Sequence, residues 1–275
     1  MDKIKLFIFL LIFALLCGTS FSAEKSSKKS ARLRKYISQL SDRRYARDAR
    51  LKLVMLGSQA LPLLVDTLYD PSAKTSVKAR AINILASIKD AGATDGLIDA
   101  LESRNVKIRR AAARALGEIG DTKAMDALKK GLNDYDHMVR FNCVRSLEQI
   151  GDSSVAEALA GVLGDNAPDI RLYAVRGLGR LKFKSAIDKL SKLTYDMDPN
   201  IRLELTRTLG SIATDECVPS LRLLANDPYP LVRLHAIQAL GSIKTESSLN
   251  VLLGGANSAD RNVRYQSAVA LGKLA

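Results

Sequence analysis

The chain has 275 residues, of which 47% are hydrophobic, 26% charged and only 5% aromatic, with no tryptophan. That balance excludes a disordered chain and supplies enough apolar matter for a sizeable core, while the Ala-, Leu- and Arg-rich, aromatic-poor composition leans towards helix. The formal charge is +13, but eleven Lys and Arg against three acids fall in residues 24–55, so the long remainder is only mildly basic.

Residues 1–23 read as a targeting segment. "MDKIK" is a positive head, "LFIFLLIFALL" an apolar run, and "CGTSFSAE" supplies small residues for cleavage. This is the pattern of a secretory signal peptide, too short before its polar break to be read first as a membrane span. Cleavage is expected after Ser22 or Ala23, Ser22 having small Ser20 two positions upstream. Lipid attachment at Cys17 is disfavoured by Leu16, which stands where a small residue is wanted; an uncleaved anchor is the other alternative. The expected location is secreted or periplasmic. Residues 24–42 are basic and read in two ways: a surface for anionic lipid or an acidic partner, or a flexible start and a capping helix with Leu33, Tyr36, Ile37 and Leu40 inward. The cap is preferred, because the ends of a repeat array need a soluble outer face.

Residues 43–275 are such an array. Steps of 31 from Arg171 reach Arg140, Arg109, Lys78 and Arg47 in one direction and Arg202, Arg233 and Arg264 in the other. Ala46, Val77, Ile108, Val139, Ile170, Ile201, Val232 and Val263 precede these eight marks. Seven after them stand Val54, Leu85, Leu116, Leu147, Leu178, Leu209, Leu240 and Leu271. Apolar or small residues at −1, +3, +4 and +7 form one stripe of a helix. A second helical run precedes each mark, with Asp90, Asp121, Asp152, Thr214 and Thr245 as candidate N-caps. Pro168, Pro199 and Pro230, three before a mark, suit a first helical turn. No strand pattern appears. A two-helix unit cannot bury its apolar face alone, so the units stack into an all-α solenoid of about eight repeats, expected as one continuous stack. Gly117, Gly179, Gly210, Gly241 and Gly272, eight after the mark, are expected where the next helix approaches closely.

The frame "IRRAAARALGEIGD", Ile108 to Asp121, resembles HEAT repeats of the phycobilisome-lyase type, over about residues 30–275. In such arrays an Arg–Asp pair forms a hydrogen-bonded ladder between repeats, which the resemblance assigns to Asp134 and Arg140, Asp165 and Arg171, Asp196 and Arg202, and Asp227 and Arg233. The second arginine of each frame is a departure, because that position is often acidic in related repeats. Arg114, Arg145, Arg176 and Arg207 stand five after the mark and share a helix face with Phe141, Leu172 and Tyr173. Two readings stay open: a basic ridge with apolar neighbours that favours an anionic partner, or a solvated face copied by duplication.

Enzyme readings find little support. His137 and His235 lie in different repeats, His137 in an expected loop. Deoxyhypusine hydroxylases share HEAT-like repeats but need His-Glu pairs for iron, and no His-Glu step occurs. There is no Gly-rich phosphate loop, Ser/His/Asp set or CxxC, and no cofactor or metal is expected. A bilin-lyase-like role remains the rival, against which the signal peptide argues. Nucleic acid is not expected, because the signal peptide argues against it and because few aromatics share the arginine face for base stacking. The preferred function is a non-catalytic, exported scaffold for a protein partner, with anion or membrane-surface binding through the basic segment as a further alternative. Cys143 and Cys217, three repeats apart, are too distant for a disulfide. At the end of the chain Tyr265 and Val269 lie four apart on one face and mark an apolar patch for a partner or a second copy.

Overall fold

The structure, a computed structural model, describes residues 30–274. The expected signal peptide, Cys17 and the first part of the basic segment lie outside them. Among the described residues all regular structure is helical. The chain divides into two compact units, residues 1–100 and 101–275. The physical reason is local: each repeat touches only its neighbours, so no one core holds a whole array.

The first unit contains α1 (residues 30–39), α2 (Ala46–Leu56), α3 (Leu61–Tyr69), α4 (Thr75–Ile88) and nearly all of α5 (Thr94–Leu101). Leu33, Tyr36 and Leu40 of the first segment are buried, while Ile37 stays half-exposed. Arg80 reaches back to donate to the Leu40 carbonyl and ties this segment to α4. In α2 the buried leucine is Leu53, and Val54 is only half-buried, a one-residue departure from the frame seen elsewhere.

The second unit alternates short first helices with longer second helices. The first helices are α7 (Met125–Gly131), α9 (Ala156–Gly161), α11 (Ile187–Ser191), α13 (Val218–Leu224) and α15 (Glu246–Gly255). The second helices are α6 (Val106–Ile119), α8 (His137–Ile150), α10 (Pro168–Arg180), α12 (Pro199–Ile212), α14 (Pro230–Leu240) and α16 (Arg261–Leu274). Every mark from Lys78 onwards is the fourth residue of its helix. Pro168, Pro199 and Pro230 are the first residues of theirs, where a missing N–H costs nothing. His137 opens α8 and does not sit in a loop, because the Asp136 carboxylate caps the helix one residue earlier by accepting from Val139 N–H at 3.1 Å.

The caps before the first helices mostly act as their residue types dictate. Asp121 accepts from Lys123 N–H at 3.0 Å and Asp152 from Ser154 N–H at 2.8 Å, each opening a 3₁₀ turn that leads into the α-helix. Thr245 and Ser248 form a reciprocal capping box. Thr214 departs: its side chain caps no backbone N–H and lies 3.7 Å from the Cys217 sulfur.

The second helices pack on one another as a layer, and its closeness comes from pairing a glycine with a small residue. A Cβ on Gly117 would stand 2.1 Å from the Ser146 hydroxyl, one on Gly179 2.6 Å from that of Thr208, and one on Gly210 2.8 Å from Ala239 Cβ. Between α8 and α10 the roles invert. Glu148 takes the glycine position and lies buried, and Gly177 stands opposite, where a Cβ would be 2.7 Å from Leu159 and 3.5 Å from Glu148. At Gly272 a Cβ would meet nothing within 4 Å, because no further helix follows among the described residues.

Candidate protein-binding face

Within the second unit the mark arginines are spent on structure. Arg140 Nε and Nη2 donate to the Asp165 carboxylate at 2.7 and 3.1 Å, while its Nη1 donates to the main-chain carbonyl of Asp134 at 2.9 Å. Arg171 repeats this with Asp196 and the Asp165 carbonyl, and Arg202 with Asp227 and the Asp196 carbonyl. The carboxylate partner is thus the aspartate of the next repeat, and the aspartate six residues back contributes only its backbone. Each aspartate therefore links two arginines, and the rungs join into one chain. Two rungs went unread in the sequence: Arg109 pairs with Asp134, and Arg233 with Asp260. Arg264 keeps the backbone half alone, through Ser258 and Ala259 carbonyls. The planar guanidinium fork grips both carboxylate oxygens and still reaches a main-chain carbonyl, a geometry that the tetrahedral ammonium of a lysine does not match. Burial would raise the Asp165 and Asp196 carboxyls; the bonds from Arg140 and Arg171, with the backbone N–H groups of Ala167 and Asp198, outweigh it and hold both below the usual range.

The second arginines face outwards, but they are less free than their sequence suggests. Arg114 lies 3.6 Å from Glu118. Arg176 and Arg207 share the mostly buried carboxylate of Glu204, at 3.5 and 3.3 Å. Arg145 alone of the four makes no hydrogen bond or ion pair among the described residues and is exposed. The Phe141 and Tyr173 rings meet edge to face at 5.4 Å, and the Arg176 guanidinium lies over Tyr173 at 5.0 Å. Leu172 is half-exposed on the same helix. The result is a row of half-exposed aromatic and guanidinium groups across α8, α10 and α12, partly neutralised by Glu204. Sequence reading passed over that glutamate because it stands at +2, outside both arginine registers. Next along, His235 is held below its ordinary pKa, first by burial and then by the nearby Arg207.

Tyr265 and Val269 are both exposed on α16, together with Ala268. Cys143 and Cys217 are buried free thiols, and burial pushes the Cys143 thiol up to about 12. Among the described residues no three His, Cys, Asp or Glu side chains gather as a metal-binding group. Sequence reading also missed two exposed tyrosines of the inter-helix loops, Tyr135 and Tyr229, which lie against the guanidinium groups of Arg109 and Arg202.

A family model described as HEAT repeats matches residues 94–179, 159–226 and 218–275. No curated protein matches the chain. Among solved structures, an engineered protein matches with a TM-score of 0.59 at 22% identity, over 87% of this chain and 77% of its own. The complex of CpcE and CpcF of phycocyanin lyase from Nostoc sp. PCC7120 matches with a TM-score of 0.45 at 20% identity, over 87% and 92%. Human deoxyhypusine hydroxylase in complex with glycerol matches with a TM-score of 0.42 at 21% identity, over 80% and 97%. At these identities the first likeness is one of fold.

Proposed function

The chain belongs to the HEAT-repeat family, and from that premise we propose that it is a non-catalytic scaffold binding an acidic protein segment along the second helices of residues 101–275. The observation that carries this is the row formed by Phe141, Arg145, Tyr173 and Arg176, where apolar rings and cationic groups lie half-exposed side by side. An extended segment with carboxylates and an apolar anchor suits such a row, since tyrosine and arginine are enriched among the few residues that dominate binding at protein interfaces. The non-catalytic reading is supported by the dispersal of reactive groups: the two histidines lie on separate helices, and both cysteines are buried.

The test is capture from the envelope fraction of the host with the mature chain as bait. Reversal of Arg145 and Arg176 to Glu should lose the captured protein, and Lys189→Glu, a control on a first helix, should keep it. Capture that survives the reversal removes the row from the proposal. Export through residues 1–23 belongs to the same reading and is checked by the intact mass of protein recovered from the envelope. Self-association through Tyr265 and Val269 also belongs to it. Light scattering of a Tyr265→Glu, Val269→Lys variant, unchanged from the parent at every concentration, would remove that part.

A further inference from the structure

Between the last two repeats lies a cleft of about 710 Å³, bordered by α13, α14, α15 and α16. Its origin is legible in α15. That helix buries only Ser248 and Leu252, whereas α13 buries Val218, Ser220, Leu221 and Leu224. It ends in Gly254 and Gly255, which bring no side chains to fill the space. The floor is apolar, with Ile237, Leu240, Leu252 and Val263 all buried, and the rim carries the exposed Asp215 and Arg222.

The walls also carry Asn226, Ser247, Asn250 and Ser258, and one further polar group is buried. Ser267, 1% exposed, borders the cleft, and its hydroxyl is the single buried side-chain N or O atom among the described residues without a hydrogen-bond partner. Gly255 makes room for it, since a Cβ there would stand 2.3 Å from the Ser267 oxygen. A buried hydroxyl without a partner is costly, and native folds leave few of them. The volume lies within the range of roughly 300–1,000 Å³ typical of small-molecule sites, which combine apolar walls with a few placed polar groups.

We propose that this cleft binds a small, uncharged, largely apolar molecule whose buried end carries an oxygen that accepts a hydrogen bond from Ser267. The inner end carries no charge, because no ionised side chain reaches the floor to compensate one. Asp215 and Arg222, of opposite sign, leave the rim without a preference for either. The site is separate from the aromatic–arginine row and does not depend on it.

Calorimetric titration of the full chain with 2-acetylnaphthalene and with 2-ethylnaphthalene tests this, the two probes being close in shape and differing by the carbonyl oxygen. The ketone should bind wild type roughly five- to tenfold more tightly, the worth of one buried hydrogen bond. Ser267→Ala should abolish that preference and leave both probes at the affinity of the hydrocarbon. Gly254→Phe should abolish binding of both without lowering the Tm, since a Cβ at Gly254 meets nothing within 4 Å and the ring enters the cleft. The proposal is overturned if neither probe binds wild type, if the two bind it equally, if the ketone preference survives Ser267→Ala, or if binding survives Gly254→Phe.

Discussion

Arg140 and Arg145 stand five residues apart on one helix, and their surroundings assign them opposite work. The first is mostly buried and serves Asp165 and the Asp134 backbone; the second is exposed and unpaired. Removing one member of a buried pair strands the other, which costs about 3–5 kcal/mol when burial is complete. Because both side chains here keep some exposure, Arg140→Ala should cost roughly 2–3 kcal/mol in urea unfolding. Arg145→Ala should stay within about 0.5 kcal/mol. Equal losses would erase the distinction between the two registers. The glycines divide in the same way. Gly117→Ala drives a Cβ into Ser146, whose Cα is only 2.9 Å away, so the backbone must move; a loss of about 1–3 kcal/mol is expected. Gly272→Ala meets open space and should be neutral or stabilise by up to about 1 kcal/mol, the helix-propensity gain. Paired thermal melts of the two variants check both signs.

At the scale of helix pairs, the junction of α8 and α10 shows how a rule can invert without breaking. Glu148 fills what is elsewhere a glycine position, Gly177 stands opposite it, and Arg180 donates to both the carboxylate and the main-chain carbonyl of Glu148. Glu148→Gly alone should destabilise by leaving a void and stripping Arg180 of its charged partner. Gly177→Thr alone should destabilise because a Cβ there stands 2.7 Å from Leu159. The double variant restores the glycine-to-small pattern of the other junctions. Because the tight contact is with Leu159 and Glu148 stands at an ordinary 3.5 Å, a double-mutant cycle should show the two losses adding to within about 0.5 kcal/mol, and a favourable coupling above about 1 kcal/mol would show that Gly177 serves to accommodate Glu148. The 31-residue frame made the helices, their proline starts and most caps readable in advance, because those depend on neighbours in sequence. The ladder was only half readable. By the period, an aspartate six before one mark is also twenty-five after the previous one, as in the Arg140–Asp165 pair, and spacing alone offers both partners. The cleft beside Ser267 was not readable at all. It depends on how α15 fails to pack and on a hydroxyl lacking a partner, and neither leaves a periodic trace.

At the scale of the whole second unit, the joined ladder makes stability a function of acid. Asp165, Asp196 and Asp260 are held below the usual carboxylate range. Asp136 is held lower still, at about 2, chiefly by the Arg110 guanidinium. A folded-state pKa below the unfolded value of about 3.9 means that the folded chain binds fewer protons between the two values. These carboxylates therefore stabilise fully above about pH 5, and that contribution is lost progressively as pH falls through the folded values. His235, also held low, adds a smaller loss of the same sign, beginning as pH drops below about 6.5. Protonation breaks rungs that share aspartates with their neighbours, and it leaves the arginines of a chain of net charge +13 repelling one another. The Tm should thus fall gently from pH 7 to 5 and steeply below about pH 4. Asp136→Asn keeps a capping side chain but loses the ion pair to Arg110, so it should lower the Tm at pH 7 and flatten the steep acid limb. Melts recorded across that range decide the matter: an Asp136→Asn curve parallel to wild type below pH 4 would show that the acid limb arises elsewhere than in these paired carboxylates.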